Sequence, residues 1–304
     1  MKTLRDIGED ALIDRLIDLV PQDPSPAAGP GDDCAVIDRD PTSPGLLLLK
    51  TDAIVEHVHF LPSAEPRAVG WKAAARVVSD FAAMGGRPEH FLITLALAPE
   101  TPVAWAEDLY RGIGDCLETF GAVLAGGETT RVPTGSAAVI SISATGAVLR
   151  DHVVLRSTAR CGDAIFVTGK LGGSLQGKHL DFIPRIEQTQ WLVSTFKPSA
   201  MMDLSDGLAK DLPRLATASG GGFIIDPGAL PLSPGCTPQQ GISDGEDFEI
   251  LFTIEPARAT ALLAAWTARF PDLALTRIGE ITAAAQGMNL TGGWDHFRST
   301  PAGA

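Results

Sequence analysis

Five stretches place carboxylates among small residues: Gly31-Asp32-Asp33, Thr51-Asp52, Ser79-Asp80, Gly126-Gly127-Glu128-Thr129 and Asp203-Leu204-Ser205-Asp206-Gly207. Few basic residues accompany them. Magnesium prefers hard oxygen ligands, commonly one or two carboxylates, with phosphates and waters completing its shell. Several separate acids in turns would hold several such ions around one triphosphate. Asp80 is the most informative, because Trp71–Met84 is mostly Ala, Val, Phe and Met, a helix buried on most sides. Gly85-Gly86 and Pro88 stop it. An isolated buried charge is costly, so Asp80 must either pair with Arg76 one turn earlier or bind a metal.

Other chemistry-bearing patterns are weaker. Gly172-Gly173-Ser174-Leu175-Gln176-Gly177-Lys178 approaches the phosphate loop G-x-x-x-x-G-K-[ST], but position 179 is His, without the hydroxyl that magnesium needs. His57 and His59, two apart on an expected strand, would face one way; no Cys joins them, so a polar strand face or a substrate contact is the reading. No G-x-S-x-G or H-E-x-x-H occurs.

The elements that must carry these residues alternate between helix and strand. Residues 3–20 read as one amphipathic helix, and the Pro/Gly-rich PQDPSPAAGPGDD as irregular. Strands are expected at Cys34–Asp38, Leu46–Thr51 and Ala53–Phe60, with Asp52 at a junction, and at Phe91–Ala98. Val103–Phe120 is a helix. Ala122–Ala125 is a short strand entering a Gly-Gly-Glu-Thr turn, and Ala137–Val148 alternates as a strand. A boundary falls near Leu149–Cys161, dividing the chain into 1–150 and 151–304. Beyond it, Ala164–Thr168 is a strand and Trp191–Phe196 helical. Asp203–Gly207 opens a helix through Ala218, its Asp and Ser suiting the cap. Phe223–Asp226 and Phe248–Ile254 are strands around a Gly245-Glu246-Asp247 turn, and Pro256–Phe270 is a helix.

With 304 residues, 45% hydrophobic and 20% charged, the chain is globular with a substantial core. A net charge of −13 argues against nucleic acid or an anionic membrane as partner, but not against a metal-screened nucleotide. The four cysteines form no C-x-x-C, so reduced thiols in a cytoplasmic setting are expected. The acid-bearing N-terminus does not read as a signal peptide, and no run reaches the ~18 apolar residues of a membrane helix.

In this order, GPGDDCAVI, TDAIVEHVHF, SDFAAMGGRP, GGETT, LRSTARCGDAIFVTGKLG, DLSDGL, DGEDFEILFT, IGEI and GWDHF resemble the thiamine-monophosphate kinases of the PurM-like ATP-binding superfamily. The resemblance spans about residue 30 to 297. It implies an α/β (α+β) two-domain fold: an N-terminal domain that dimerises through its sheet, a C-terminal α-β domain, and ATP with several Mg2+ ions in the cleft between them. By matching position, Asp32, Asp33, Thr51, Asp52, Asp80, Glu128, Asp203 and Asp206 would ligate metal, with Asp52, Asp80 and Asp206 the catalytic acids. Gly127, Glu128, Arg156 and Ser205 would meet the nucleotide. His59, Glu246 or Glu249, and Trp294 would contact thiamine monophosphate. A homodimer is also suggested by the apolar strands between Leu46 and Ala98. Three departures stand out: Glu128 where the family turn has Asp, Lys50 where a hydroxyl residue precedes Thr-Asp, and Ser243-Asp244 before Gly245 where Ser-Gly is usual. Lys50 and Glu128 point to one cation fewer, with the ammonium covering part of its charge. Related reactions fit less well: no N-terminal reactive Cys as in selenophosphate synthetase, no C-terminal Cys as in the hydrogenase-maturation dehydratase, and a G-W-D-H-F that aminoimidazole ribonucleotide synthetase lacks. A non-catalytic nucleotide-binding regulator is the reading from another class.

Overall fold

A computed structural model of the chain describes residues 2–21, 28–283 and 290–298. Its elements are α1 (Leu4–Ile7), α2 (Glu9–Ile17), β1 (Ala35–Ile37), β2 (Gly45–Val55), α3 (Pro66–Ala83), β3 (Arg87–Leu97), α4 (Val103–Phe120), β4 (Val123–Arg131), β5 (Val139–Leu149), β6 (Ala164–Thr168), α5 (Lys178–Asp181), α6 (Ile186–Thr195), β7 (Ala200–Asp203), α7 (Leu208–Ala218), β8 (Gly221–Ile225), α8 (Pro238–Ser243), β9 (Ile250–Ile254), α9 (Pro256–Arg269) and β10 (Leu275–Ala283). Two five-stranded sheets result. The first runs β1-β2-β5-β3-β4, with only β3 and β4 parallel; the second, β7-β9-β6-β10-β8, is antiparallel throughout.

Helix α3 joins the two halves. Val69, Ala73, Val77 and Phe81 pack with Leu48, Ile54, Phe91 and Ile142 of the first sheet and with Leu109 and Ile113 of α4. Ala82 and Ala83, at its end, join Phe166, Phe252, Leu192 and Trp266 on one face of the second sheet. Helix α7 covers the other face through Leu208, Leu212 and Leu215. Each large apolar side chain buried this way contributes roughly 1.5–3 kcal/mol. Helices α3 and α4 meet backbone to backbone. A Cβ on Gly70 would lie 1.9 Å from the Leu109 carbonyl oxygen, and one on Gly112 would lie 1.8 Å from that of Arg67. Glycine at both positions is what lets the helices approach. No helix among the described residues is long and apolar enough to cross a membrane.

Several expected elements are corrected. The helix over 3–20 is two helices, broken at Gly8 with φ +75°, a conformation that side chains rarely adopt. Neither helix buries a residue; α2 is held by charge, through Glu9 to Lys210 (2.6 Å) and Asp10 to Arg214 (2.6 Å). Asp52 is not at a junction but inside the unbroken β2. The Gly-Gly-Glu-Thr stretch is not a turn: it continues β4, pairing with residues 92–95 of β3. Strand β2 ends at Val55, so His57 (φ +66°) and His59 lie in a tight turn, not on one strand face. Helix α7 starts after Gly207 without a side-chain cap, the Asp206 carboxylate being taken by Arg214. Residues 22–27 of the Pro-rich stretch and the final Pro-Ala-Gly-Ala lie outside the described residues.

Candidate active-site cleft

Three buried acids from three elements converge where α3 meets both sheets. Asp33 precedes β1, Asp80 sits in the last turn of α3, and Asp203 ends β7; each offers an oxygen within 4.8 Å of the others. Ser79 Oγ donates to Asp203 Oδ2 at 2.6 Å. Arg156 grips Asp33 with Nε (3.1 Å) and Nη2, while its backbone N–H donates to Asp32 Oδ1 at 2.7 Å. Lys50 Nζ lies 2.8 Å from Asp80 Oδ1. Two cations thus face three carboxylates. Burial, with the neighbouring acids adding to it, drives Asp80 far above the ordinary carboxylate range even against Lys50. Burial and Asp33 lift Asp203 to about 6. The cluster is short of positive charge, and its donors are hard carboxylate oxygens, so the residues fit a divalent cation such as Mg2+.

Beside the cluster, β2 and α3 face each other as a ladder of charge. Residues two apart on a strand share a face, so Lys50 and Asp52 point to the helix side with Leu48 and Ile54. Residues four apart on α3, Arg76 and Asp80, answer them. Lys50 takes Asp80, and Asp52 takes Arg76, Oδ2 lying 3.0 Å from Nε. Asp80 therefore does not pair with Arg76, and Lys50 does not point to solvent. Burial raises Asp52, but Arg76 and Lys50 outweigh it and hold its carboxyl below the ordinary range. A polar pocket opens here, lined by Lys50, Asp52, Arg76, Asp80, Asp203, Ser205 and Asp206. Asp206 is fixed by Arg214 Nη1 (2.6 Å), and its N–H donates to the buried Asp211 at 3.0 Å.

An adjoining pocket is built differently. Val58, Leu175, Phe248 and Trp294 give it apolar and aromatic walls, and His59, Glu246 and Arg76 polar points. Arg76, Ser205, Asp206, Phe248 and His296 line both pockets. The Trp294 N–H donates to the Asp206 carbonyl at 2.8 Å, and its indole N–H to His296 Nδ1 at 3.2 Å. Beneath lies Lys72, a fully buried cation whose Nζ donates to the His59 carbonyl (2.5 Å), His179 Nδ1 (2.7 Å) and Glu246 Oε2 (2.8 Å). Burial pulls Lys72 down to about 8 although Glu246 opposes it. Burial would raise Glu246, but His179, Lys72 and Arg76 together bring it to about 2. His59 falls to about 3 through burial and the nearby Arg76 and Lys72, which leaves its ring neutral with Nδ1 accepting the Val55 N–H at 3.0 Å.

The structure thus gathers Asp33, Asp52, Asp80, Asp203, Ser205, Asp206, His59, Glu246 and Trp294 around one cleft, with Asp32 and Arg156 behind it. It does not bring in four others. Thr51, on the opposite face of β2, is exposed and meets Ser143 Oγ at 3.1 Å. Gly127 and Glu128 are exposed on the edge strand β4. Glu249 is buried against Arg185 (2.6 Å) and Thr168 (2.7 Å), and lines neither pocket. The glycines resembling a phosphate loop are engaged internally: Gly172 N–H donates to Asp247 and Gly173 N–H to Asp244. Sequence reasoning passed over Lys72 and Asp211. Both are charges on an otherwise apolar helix face, the same signal that singled out Asp80.

Residues 31–148 match the family model for AIR synthase related protein, N-terminal domain. The thiamine-monophosphate kinase of Rhodopirellula baltica is 36% identical over 275 residues, 85% of this chain and 84% of the relative. That of Escherichia coli K12 is 33% identical, over 97% and 99% respectively. The chain belongs to the thiamine-monophosphate kinase family. Among solved structures, AaThiL complexed with AMPPCP and TMP superposes with a TM-score of 0.82 at 30% identity, covering 97% of this chain and 99% of that one. The fold is the mixed α/β, PurM-like architecture of that family. Hydrogenase maturation protein HypE shares the fold at 21% identity and a TM-score of 0.66.

Proposed function

We propose that this chain transfers the γ-phosphoryl group of ATP to the phosphate of thiamine monophosphate, yielding thiamine diphosphate and ADP. The observation that carries this reading is the junction of an aromatic pocket with a carboxylate-lined one, sharing Arg76, Ser205, Asp206, Phe248 and His296. One half suits a flat heterocycle, the other a metal-bound polyphosphate. Family membership and the relative that holds AMPPCP with TMP support it.

An acceptor phosphate oxygen forms the new bond to the γ-phosphorus as the bond to the β–γ bridging oxygen breaks, the electron pair leaving with ADP. That oxygen is largely ionised at neutral pH, since a phosphate monoester's second pKa is about 6, so no general base is required. Mg2+ bound by Asp33, Asp80 and Asp203, with Asp52 and Asp206 at the rim and Asp32 behind them, would offset the repulsion of the two anions and polarise the transferred group. Lys50 holds one permanent positive charge at Asp80, and Arg156 another at Asp33 beside the expected nucleotide phosphates, where Ser205 offers a hydroxyl. Trp294 and His59 orient the heterocycle, and Glu246 keeps Lys72 and Arg76 in place beneath it. Thr51, Gly127, Glu128 and Glu249 take no part from their positions within one chain.

We take residues 1–150 and 151–304 as two domains, and the assembly as a homodimer through the open face of the first sheet. Thr51, Ser143 and Leu92 form one cross-strand row on that face, and Leu49, Thr145, His90 and Val123 the next. Leu49, Leu92 and Val123 are exposed there. Light scattering should give twice the 31.8 kDa chain mass; a monomer at micromolar concentration would contradict it. The reaction itself is tested by incubating the protein with ATP, Mg2+ and thiamine monophosphate and separating the thiamine esters. Thiamine diphosphate should form in step with ADP. ATP hydrolysis without thiamine diphosphate, or no turnover, rejects the assignment.

A further inference from the structure

Arg76 occupies the step between the two pockets, and its bonding there is incomplete. Its side chain is only 12% exposed, yet Nη1 has no hydrogen-bond partner among the described residues. The closest carboxylate to that nitrogen, Glu246 Oε1, is 4.0 Å away, beyond hydrogen-bond reach. Nε faces Asp52 at 3.0 Å without forming a well-angled hydrogen bond, so only Nη2, at 3.3 Å from Asp52 Oδ1, donates. A buried guanidinium edge left open is costly unless something else completes it. Phe248 lies under the guanidinium, 5.9 Å from ring centroid to carbon.

We propose that Arg76 is a substrate-contacting residue, its buried and unpartnered Nη1 turning to the monoester phosphate of the acceptor as that phosphate crosses from the aromatic pocket to the carboxylates. This rests on the kinase reading above and adds the residue that selects a phosphorylated acceptor. Of the five residues common to both pockets, Arg76 is the one with a permanent positive charge. A heterocycle against Trp294 and Phe248 that extends a phosphate toward Asp80 and Asp203 runs along the wall these five residues share, Arg76 among them. The neighbouring charges favour this use: Glu246 is already neutralised by Lys72 at 2.8 Å, and Asp52 is shared with Lys50's field, so the guanidinium keeps attraction for an anion. Planar N–H groups match phosphate oxygens better than any other donor available in this cleft.

The test compares thiamine monophosphate with thiamine, which has the same rings and no phosphate. In Arg76→Gln, calorimetric affinity for thiamine monophosphate should fall about ten- to a hundred-fold, the loss expected for hydrogen bonds to a charged group. Affinity for thiamine should stay unchanged. KM for thiamine monophosphate should rise while KM for ATP does not, and Arg76→Lys, which keeps the charge and loses the fork, should recover part of the loss. Equal weakening of both ligands would make Arg76 a ring contact or a structural ion pair and overturn the proposal, as would unchanged affinity for thiamine monophosphate. If Arg76→Gln is unfolded at the assay temperature, Arg76→Lys is read alone: a KM rise confined to the phosphorylated acceptor supports the contact, and an unchanged KM removes it. Transfer by the unmodified protein with an unaffected Arg76→Gln overturns only this contact. An unmodified protein that neither binds nor phosphorylates thiamine monophosphate overturns the kinase reading with it.

Discussion

The two halves of the cleft handle buried charge in opposite ways. In the aromatic half the chain meets its fully buried ion itself, Lys72 with Glu246, while Arg76, on the border of the two halves, is paired with Asp52 along one side only. In the carboxylate half three acids meet, among the described residues, only the cations Lys50 and Arg156, and burial leaves Asp80 and Asp203 well above their ordinary range. A balanced pocket fixes shape, whereas an unbalanced one is built for a cation brought from outside. The first should therefore fail through lost contacts and the second through lost charge.

The largest effect is expected from Asp80→Asn, which removes one of the three acids. It should lower kcat by about a thousand-fold, the scale of losing a group that holds transition-state charge. The melting temperature should hold or rise, because crowding among Asp33, Asp80 and Asp203 is relieved. Normal turnover in this variant would erase the contrast. Trp294→Ala should act on the other half only, raising KM for thiamine monophosphate by about ten-fold and leaving KM for ATP alone, as lost aromatic contact predicts. An equal shift in both would show that Trp294 merely supports the fold.

Lys50→Thr acts on the carboxylate half alone. It strips Asp80 of its partner, so more charge must come from the metal, and the rate should depend more steeply on Mg2+ while kcat falls several-fold. Adding Glu128→Asp should change little more, since Glu128 is exposed on β4. A magnesium titration superimposable on that of the parent would mean Lys50 carries none of this charge. The smallest effect concerns stability. Glu246 titrates at about 2 in the fold against 4.5 unperturbed. Its contribution is thus complete above pH 4.5 and is lost as pH falls toward 2, amounting to at most about 3 kcal/mol. Glu246→Gln should lower the melting temperature at pH 7 and flatten the acid limb of stability between those values. An unaltered acid limb would show that the Lys72–Glu246 balance is not what holds this pocket.

Much of this arrangement was legible from residue types. Asp80 stood out because Trp71–Met84 is otherwise apolar, and α4 and β6 fall at the spans expected of them, Val103–Phe120 and Ala164–Thr168. The acids Asp33 and Asp203 were visible through their small-residue frames. What local pattern could not show was pairing across elements. Helical spacing offered Arg76 as the partner of Asp80, but β2 presents Lys50 and Asp52 to the same face and exchanges the partners. Glycines suggested a turn at Gly126–Thr129, but β3 pairs with that stretch and extends it as a strand. The apolar positions of residues 3–20 suggested one amphipathic helix, whereas Gly8 breaks it and Glu9 and Asp10 anchor it by charge. Tertiary pairing overrides local preference in each case.

The central claim is that the two halves bring the acceptor phosphate and the γ-phosphoryl group together directly, with no side chain of the cleft carrying the phosphoryl group in between. The stereochemical course tests this, using ATP made chiral at the γ-phosphorus with oxygen isotopes and sulfur, and reading the configuration of the terminal phosphoryl group in the thiamine diphosphate formed. A single in-line displacement inverts that centre, and inversion is the result expected here. Retention would require two displacements through a phosphorylated residue and would contradict the account.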